Sequence, residues 1–210
     1  MLPLDTTLTF FGLSVLLGLS PGPDNVFVLM QSATHGRKAG LLVTLGLCTG
    51  LLGHTAAVAL GLAAVLAASA TAFMALKLAG AAYLLYLAWG AFRAPVGPIA
   101  EGTVPDLKPW RMYGRGVIMN LSNPKVGIFF LAFLPQFVQP SAGPVALQVA
   151  WLGGVFMLAT LLVFGGFAWF AGLVGGLFKR STRAQRGLNW LAGTVFVALA
   201  GKLVLSSQDT

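Results

Sequence analysis

"SPGPDN", residues 20–25, breaks an otherwise apolar run, "LTFFGLSVLLGLSPGPDNVFVLMQSATHG", residues 8–36. Two prolines, a glycine, an acid and an amide do not belong in an ordinary hydrophobic helix. Proline lacks an N–H and clashes with the preceding turn, so the helix is disrupted across Pro21, Gly22 and Pro23. Proline also suits the first position of a new helix, so the chain can restart at Pro23. The restarted half-helix presents free N–H groups and the positive end of its dipole to the break. The half-helix that stopped leaves carbonyls without intrahelical partners.

Composition sets the medium around this break. Of 210 residues, 57% are hydrophobic and 9% charged, and the mean hydropathy is +0.86. A soluble domain is about 25% charged, so this chain cannot cover a water-facing surface. It reads as an integral membrane protein forming one domain over residues 1–210. The net charge of +8 would suit nucleic acid. The basic residues, however, fall in short runs between apolar segments, which excludes nucleic acid as a partner and makes membrane lipid the neighbour. Cys48 is the single cysteine and reads as an inert packed thiol. The opening "MLPLDTTLTFF" lacks the basic region of a removable signal peptide.

Crossing the hydrocarbon takes about 20 mostly apolar residues. Six segments qualify, at approximately 7–33, 39–67, 71–92, 115–138, 146–178 and 185–206. Arg37, Lys38, Arg93, Lys108, Arg111, Arg115, Lys179, Arg180, Arg183 and Arg186 fall after the first, third and fifth of them. The remaining connections carry no basic residue. The basic connections are therefore cytoplasmic and both termini lie outside, in the periplasm of a Gram-negative cell. A proline- and charge-rich loop at about 93–114 divides the chain into a first repeat, about 1–92, and a second, about 115–210. The halves enter the membrane from opposite sides. The expected fold is thus all-α, six transmembrane helices in two inverted three-helix repeats, an architecture of transporters.

A second break supports the repeat. "NLSNPKVGIFF", residues 120–130, opens the second half as "SPGPDNVFVLM", residues 20–30, opens the first. In each, proline is followed at once by a charge, Pro23-Asp24 and Pro124-Lys125. Paired interrupted spans at matching positions of two halves point to a transporter binding site. Asp24 precedes Arg37 by 13 residues and Lys125 follows Arg115 by 10. At about 1.5 Å per residue that is roughly 15–20 Å, near the middle of a core about 30 Å thick. An ionisable group there costs at least ~2.5–3.5 kcal/mol. Opposite charges relieve one another, so Asp24 and Lys125 are expected to face each other or a shared cavity.

A zwitterion fits such a place. Its carboxylate suits Lys125 and the half-helix N-termini, and its ammonium suits Asp24 and the orphan carbonyls. Asn25, Asn120 and Asn123 add donors and acceptors. His54, inside the second span, reads either as a buried histidine on a backbone carbonyl or as a proton relay beside Asp24. Asp24 can grip the ammonium, carry a proton or hold Lys125, and the sequence leaves that choice open. Lys77 and Lys202 are expected to snorkel to the outer interface. Tyr83, Tyr86 and Trp89 read as an interfacial belt. Gly46-x-x-x-Gly50 and Gly172-x-x-x-Gly176 read as close helix packing.

"PGPDNVFVLMQSATHGRKAGLLVTLGLCTGLLGHTAAVALGLAAVL", "LKLAGAAYLLYLAWGAFRA" and "NLSNPKVGIFFLAFLPQF", in this order, resemble the lysine-exporter (LysE) superfamily, and within it the homoserine/threonine-resistance (RhtB) branch. The resemblance covers the first four spans. It implies a bacterial inner-membrane exporter of amino acids or derivatives, of threonine, homoserine, leucine or lysine type, driven by the proton gradient. The positions it implies are Pro21, Gly22, Pro23 and Asp24, then Asn123, Pro124 and Lys125. No metal cluster, paired nucleophile or phosphate loop supports an enzyme, a metal site or a cofactor. Two other readings use the same fold, export of a metal cation or other small solute, and a non-transporting membrane subunit. The sequence does not fix whether the protein forms a homo-oligomer.

Overall fold

Both proline breaks interrupt helices, and the helices on either side of them organise the molecule. The computed structural model describes residues 2–20, 22–68, 70–94, 96, 108–171 and 182–205. Among the described residues all regular structure is helical. Helix α1 is Leu4–Leu19, α2 Pro23–His35, α3 Arg37–Ala68, α4 Ala70–Arg93 and α5 Pro109–Leu121. Helix α6 starts as Pro124–Ile128 and continues as a π-helical turn, Phe129–Phe133, and a 3-10 turn, Leu134–Phe137. Helix α7 is Val145–Trp169 and α8 is Thr182–Leu205.

Three stretches are each long and apolar enough to cross a membrane alone: Arg37–Gly61, Val145–Trp169 and Gln185–Leu205. Two bent pairs qualify when each is taken as one broken span, Leu4–Leu19 with Pro23–His35 and Pro109–Leu121 with Pro124–Phe137, the second bent by 49°. Among the described residues that makes three to five candidate spans. Helix α4, the remaining segment expected to cross, is not among them.

Two boundaries differ from the sequence expectation. The second half begins its helix at Pro109 rather than near 115, so the connecting loop is shorter than 93–114. Proline at the first helical position permits this start. The helix turns Met112, Gly116 and Asn120 inward and leaves Trp110 and Arg111 exposed. In the fifth segment α7 runs through Gly165 and Gly166 and breaks at Trp169, inside the expected 146–178, of which 172–178 lie outside the described residues. Pro21, Gly172, Gly176, Lys179, Arg180 and most of the loop before Lys108 lie outside the described residues.

Helix α3 packs along α5 and α7, α1 lies against α7, and α4 against α8. At the α3–α5 crossing a side chain at Gly46 would strike the Tyr113 carbonyl, and one at Gly116 the Val43 carbonyl. Backbone meets backbone there because neither residue carries a Cβ. Two apolar clusters fill the interior. The larger gathers Phe10, Phe129, Phe130, Phe133, Phe137 and Phe156 with aliphatic residues of α3, α4, α7 and α8. The smaller joins Val28, Ala39, Val43 and Leu47 to Met112, Val163, Phe164 and Ala168.

Lys77 does not snorkel. It is buried. Lys202 stays exposed, with its ammonium 4.8 Å from the Phe137 ring centre. Tyr86 and Trp89 are exposed, as an interfacial belt requires, and the Arg93 guanidinium lies 3.9 Å from the Trp89 ring centre.

Candidate functional site

The two breaks meet. Asp24 is the second residue of α2, after Pro23, where the helix dipole favours an acid. Asn123 caps α6, its Oδ1 accepting from the Lys125 backbone N–H at 3.0 Å. The same Asn123 donates through Nδ2 to Asp24 Oδ2 at 2.7 Å. A buried amide of the second half thus holds a buried acid of the first, across 99 positions of sequence.

Lys125 and Asp24 do not form the direct ion pair that opposite charges suggest. The Lys125 ammonium donates to the carbonyls of Leu17, at 3.3 Å, and Ser20, at 3.1 Å. These are the carbonyls freed where α1 stops. Asn25 takes another, Nδ2 donating to Gly18 O at 2.8 Å. The orphan carbonyls expected to receive a cargo ammonium are therefore occupied by the protein's own donors in this state. Gly22 leaves the ammonium its space, since a Cβ there would lie 3.3 Å from Lys125 Nζ.

Acceptors remain. Asp24 Oδ1, Asn25 Oδ1 and Asn120 Oδ1 are buried and have no hydrogen-bond partner. Asp24 and Asn120 line a common cavity of about 20 Å³ with Lys125 and Thr160, under the apolar side chains of Phe156 and Phe164. That is room for about one water molecule. An amino acid is several times larger, so the site has no room for one in this arrangement. A protonated amine brings three donors and no acceptor, the complement of what the walls leave unmet.

His54 approaches from α3. Its Nε2 donates to the Asn120 carbonyl at 3.1 Å and its ring lies 5.7 Å from that of Phe130. It touches the backbone of a cavity residue and makes no hydrogen bond to Asp24. Pro124 opens α6 as Pro23 opens α2. Thr160 escapes sequence reasoning, because a threonine inside a long apolar span carries no signal until the opposite wall is known. Cys48 is half-buried, its sulfur 4.0 Å from Met157 O.

Comparison with known proteins adds independent findings. The sequence profile of the LysE type translocator family matches residues 13–207. The homoserine/homoserine lactone efflux protein of Salmonella typhimurium is 34% identical over 196 residues, covering 93% of each chain. The protein of that name from Salmonella typhi is equally similar, 34% over 196 residues. An uncharacterized membrane protein of Pseudomonas aeruginosa is 33% identical over 202 residues, 92% of each chain. No solved structure matches the chain.

Proposed function

The chain belongs to the LysE type translocator family, a multi-pass membrane transporter and not an enzyme, and we propose that it exports amino acids or close derivatives from the bacterial cytoplasm across the inner membrane, driven by protons. The observation that carries this reading is the Asp24–Asn123 bond between two helix breaks, beside a small cavity that leaves acceptor oxygens unmet. The efflux proteins it resembles are named for homoserine and its lactone, which makes L-homoserine the first cargo to test.

In the proposed cycle the site opens to one face at a time. A cargo ammonium meets Asp24 Oδ1 and Asn120 Oδ1. Its carboxylate draws the Lys125 ammonium from the carbonyls of Leu17 and Ser20. Asp24 then alternates between cargo and proton, and the bond of His54 to the Asn120 carbonyl supports its reading as a buried histidine held by the backbone. The packing supports two inverted halves of three spans. Exchanging the halves maps α1 onto α5 and α3 onto α7, so the α3–α5 contact becomes the α7–α1 contact, and both exist. Helix α4 maps onto α8 and the two pack together, which supports counting α4 as the sixth span. With the basic connections in the cytoplasm, both termini lie outside.

Overexpression in a homoserine-sensitive bacterium tests the function. Growth at inhibitory L-homoserine and accumulation of L-homoserine outside the cell are expected. Asp24→Asn, present in the membrane at normal amount, is expected to confer neither. Full export by Asp24→Asn removes the acid from the mechanism. Failure of the unsubstituted protein across a panel of amino acids and analogues points to another solute or to a structural role.

A further inference from the structure

Gln31 has no part in the site above. It follows Asp24 by seven residues on α2, so the two lie on one helix face. At about 1.5 Å per residue, Gln31 is roughly 10 Å nearer the end of α2 that leads into Arg37 and Lys38. Its exposure is 0%, and neither atom of its amide has a hydrogen-bond partner. Val28, one turn earlier, belongs to the smaller apolar cluster, and α2 packs on α3 and α7. Neighbouring Ser32 meets its own need by donating to Val28 O at 2.7 Å. Gln31 has no such arrangement.

Nearly all buried polar atoms in native proteins are partnered. A layer that stayed closed would be better filled by an apolar side chain of the same size. A buried glutamine with both ends unmet therefore answers to a different arrangement of the same helices. The smaller cluster includes Val28 of α2, between Asp24 and the end of the helix that leads to the basic face, and buried Gln31 follows Val28 by one turn. A primary amide offers an acceptor and two donors on one planar group. That is the pattern a zwitterion requires, its ammonium on the carbonyl and its carboxylate on the NH2.

We propose that Gln31 is a cargo-contacting residue on the access route from the basic face to Asp24, unpartnered while the layer is closed and bonded to the zwitterion when it parts. The inference rests on the exporter reading.

The single native cysteine makes the test direct. In a Cys48→Ala background, a Gln31→Cys thiol is expected to react with a membrane-impermeant maleimide in inside-out vesicles and not in right-side-out ones. Excess L-homoserine is expected to slow that labelling. Gln31→Leu is expected to cut L-homoserine efflux about tenfold or more, the loss of one charge-assisted bond to the moving cargo, with the melting temperature unchanged or raised. Full efflux by Gln31→Leu overturns the proposal. A lowered melting temperature overturns it too, because it makes Gln31 a structural group. So does a thiol that is silent in both vesicle orientations or labelled equally in both. If the unsubstituted protein moves neither L-homoserine nor any other amino acid of the panel, the exporter reading fails on its own terms, and the sidedness of labelling still decides whether the layer opens at Gln31.

Discussion

Lys125 follows Pro124 at the start of α6, where the dipole of its own helix opposes a positive charge. Its ammonium reaches across to the Leu17 and Ser20 carbonyls at the end of α1, where the dipole favours one. Asp24 meanwhile takes its donor from Asn123. The two charges thus take different donors and acceptors, with Asp24 Oδ1 left unmet, and that predicts how they respond to substitution. Lys125→Met strips the donor from two carbonyls and is expected to cost about 1.5–3 kcal/mol, the range for hydrogen bonds to charged groups. Asp24→Asn keeps an acceptor for Asn123 Nδ2 and is expected to cost below about 1 kcal/mol. Both residues bond Asn123 and line one cavity, so the double variant should depart from the sum of the two by more than about 0.5 kcal/mol. Chemical unfolding in detergent measures all three. Additivity within that margin would mean that Asp24 and Lys125 act independently. The sequence makes both residues conspicuous because each follows a proline in an apolar span. It cannot reveal the partners of Lys125, because backbone carbonyls leave no residue-type signal.

Helices α3 and α5 touch through glycines on both sides, Gly46 against the Tyr113 carbonyl and Gly116 against that of Val43. A methyl group at Gly46 has nowhere to go, because the atoms in its way are backbone. Gly46→Ala is expected to cost about 1–3 kcal/mol by overpacking and to lower the melting temperature. Gly61, on the same helix, has open space where a methyl group would sit, with no atom within 4 Å. Gly61→Ala is expected to be neutral or stabilising by up to about 1 kcal/mol, the helix-propensity difference. Equal effects at both positions would remove close packing as the reason for Gly46. The Gly46–Gly50 spacing is legible because four residues return to one helix face. The start of α5 is not. "KPWRMYGR", residues 108–115, has the charge of a loop, yet a helix that begins at a membrane surface needs arginine and tryptophan there. The segments 39–67 and 71–92 agree with α3 and α4 within a few residues, because long uninterrupted apolar runs leave few alternatives.

At the scale of the whole molecule, the site lies between two apolar layers that differ in kind. The smaller, toward the basic face, is mainly aliphatic, and its Val28 lies one turn before the unpartnered Gln31 on α2. The larger runs from Phe10 and Phe137 to Ala88 on α4 and Ala192 on α8 and is built on interlocked phenylalanines, Phe10 lying 5.1 Å from Phe137 and 5.8 Å from Phe129 between ring centres. The pairing of the two breaks across this interior is legible in the matched "PGPD" and "SNPK" stretches. The closed state is not, because the volume between walls depends on how helices meet and not on which residues they carry. A cavity of about 20 Å³ cannot release a cargo to either side unless one layer parts. On the proposed cycle the aromatic layer opens to release cargo, with α1 moving relative to the turn that carries Phe137. In a Cys48→Ala background, Phe10→Cys with Phe137→Cys, bridged by a short reducible cross-linker, is expected to abolish L-homoserine efflux. Reduction should restore it, and each single substitution should retain most of it. Cross-linking carried to completion with efflux intact would show that cargo leaves without separating these two residues, and the aromatic layer would then be a fixed core and not a gate.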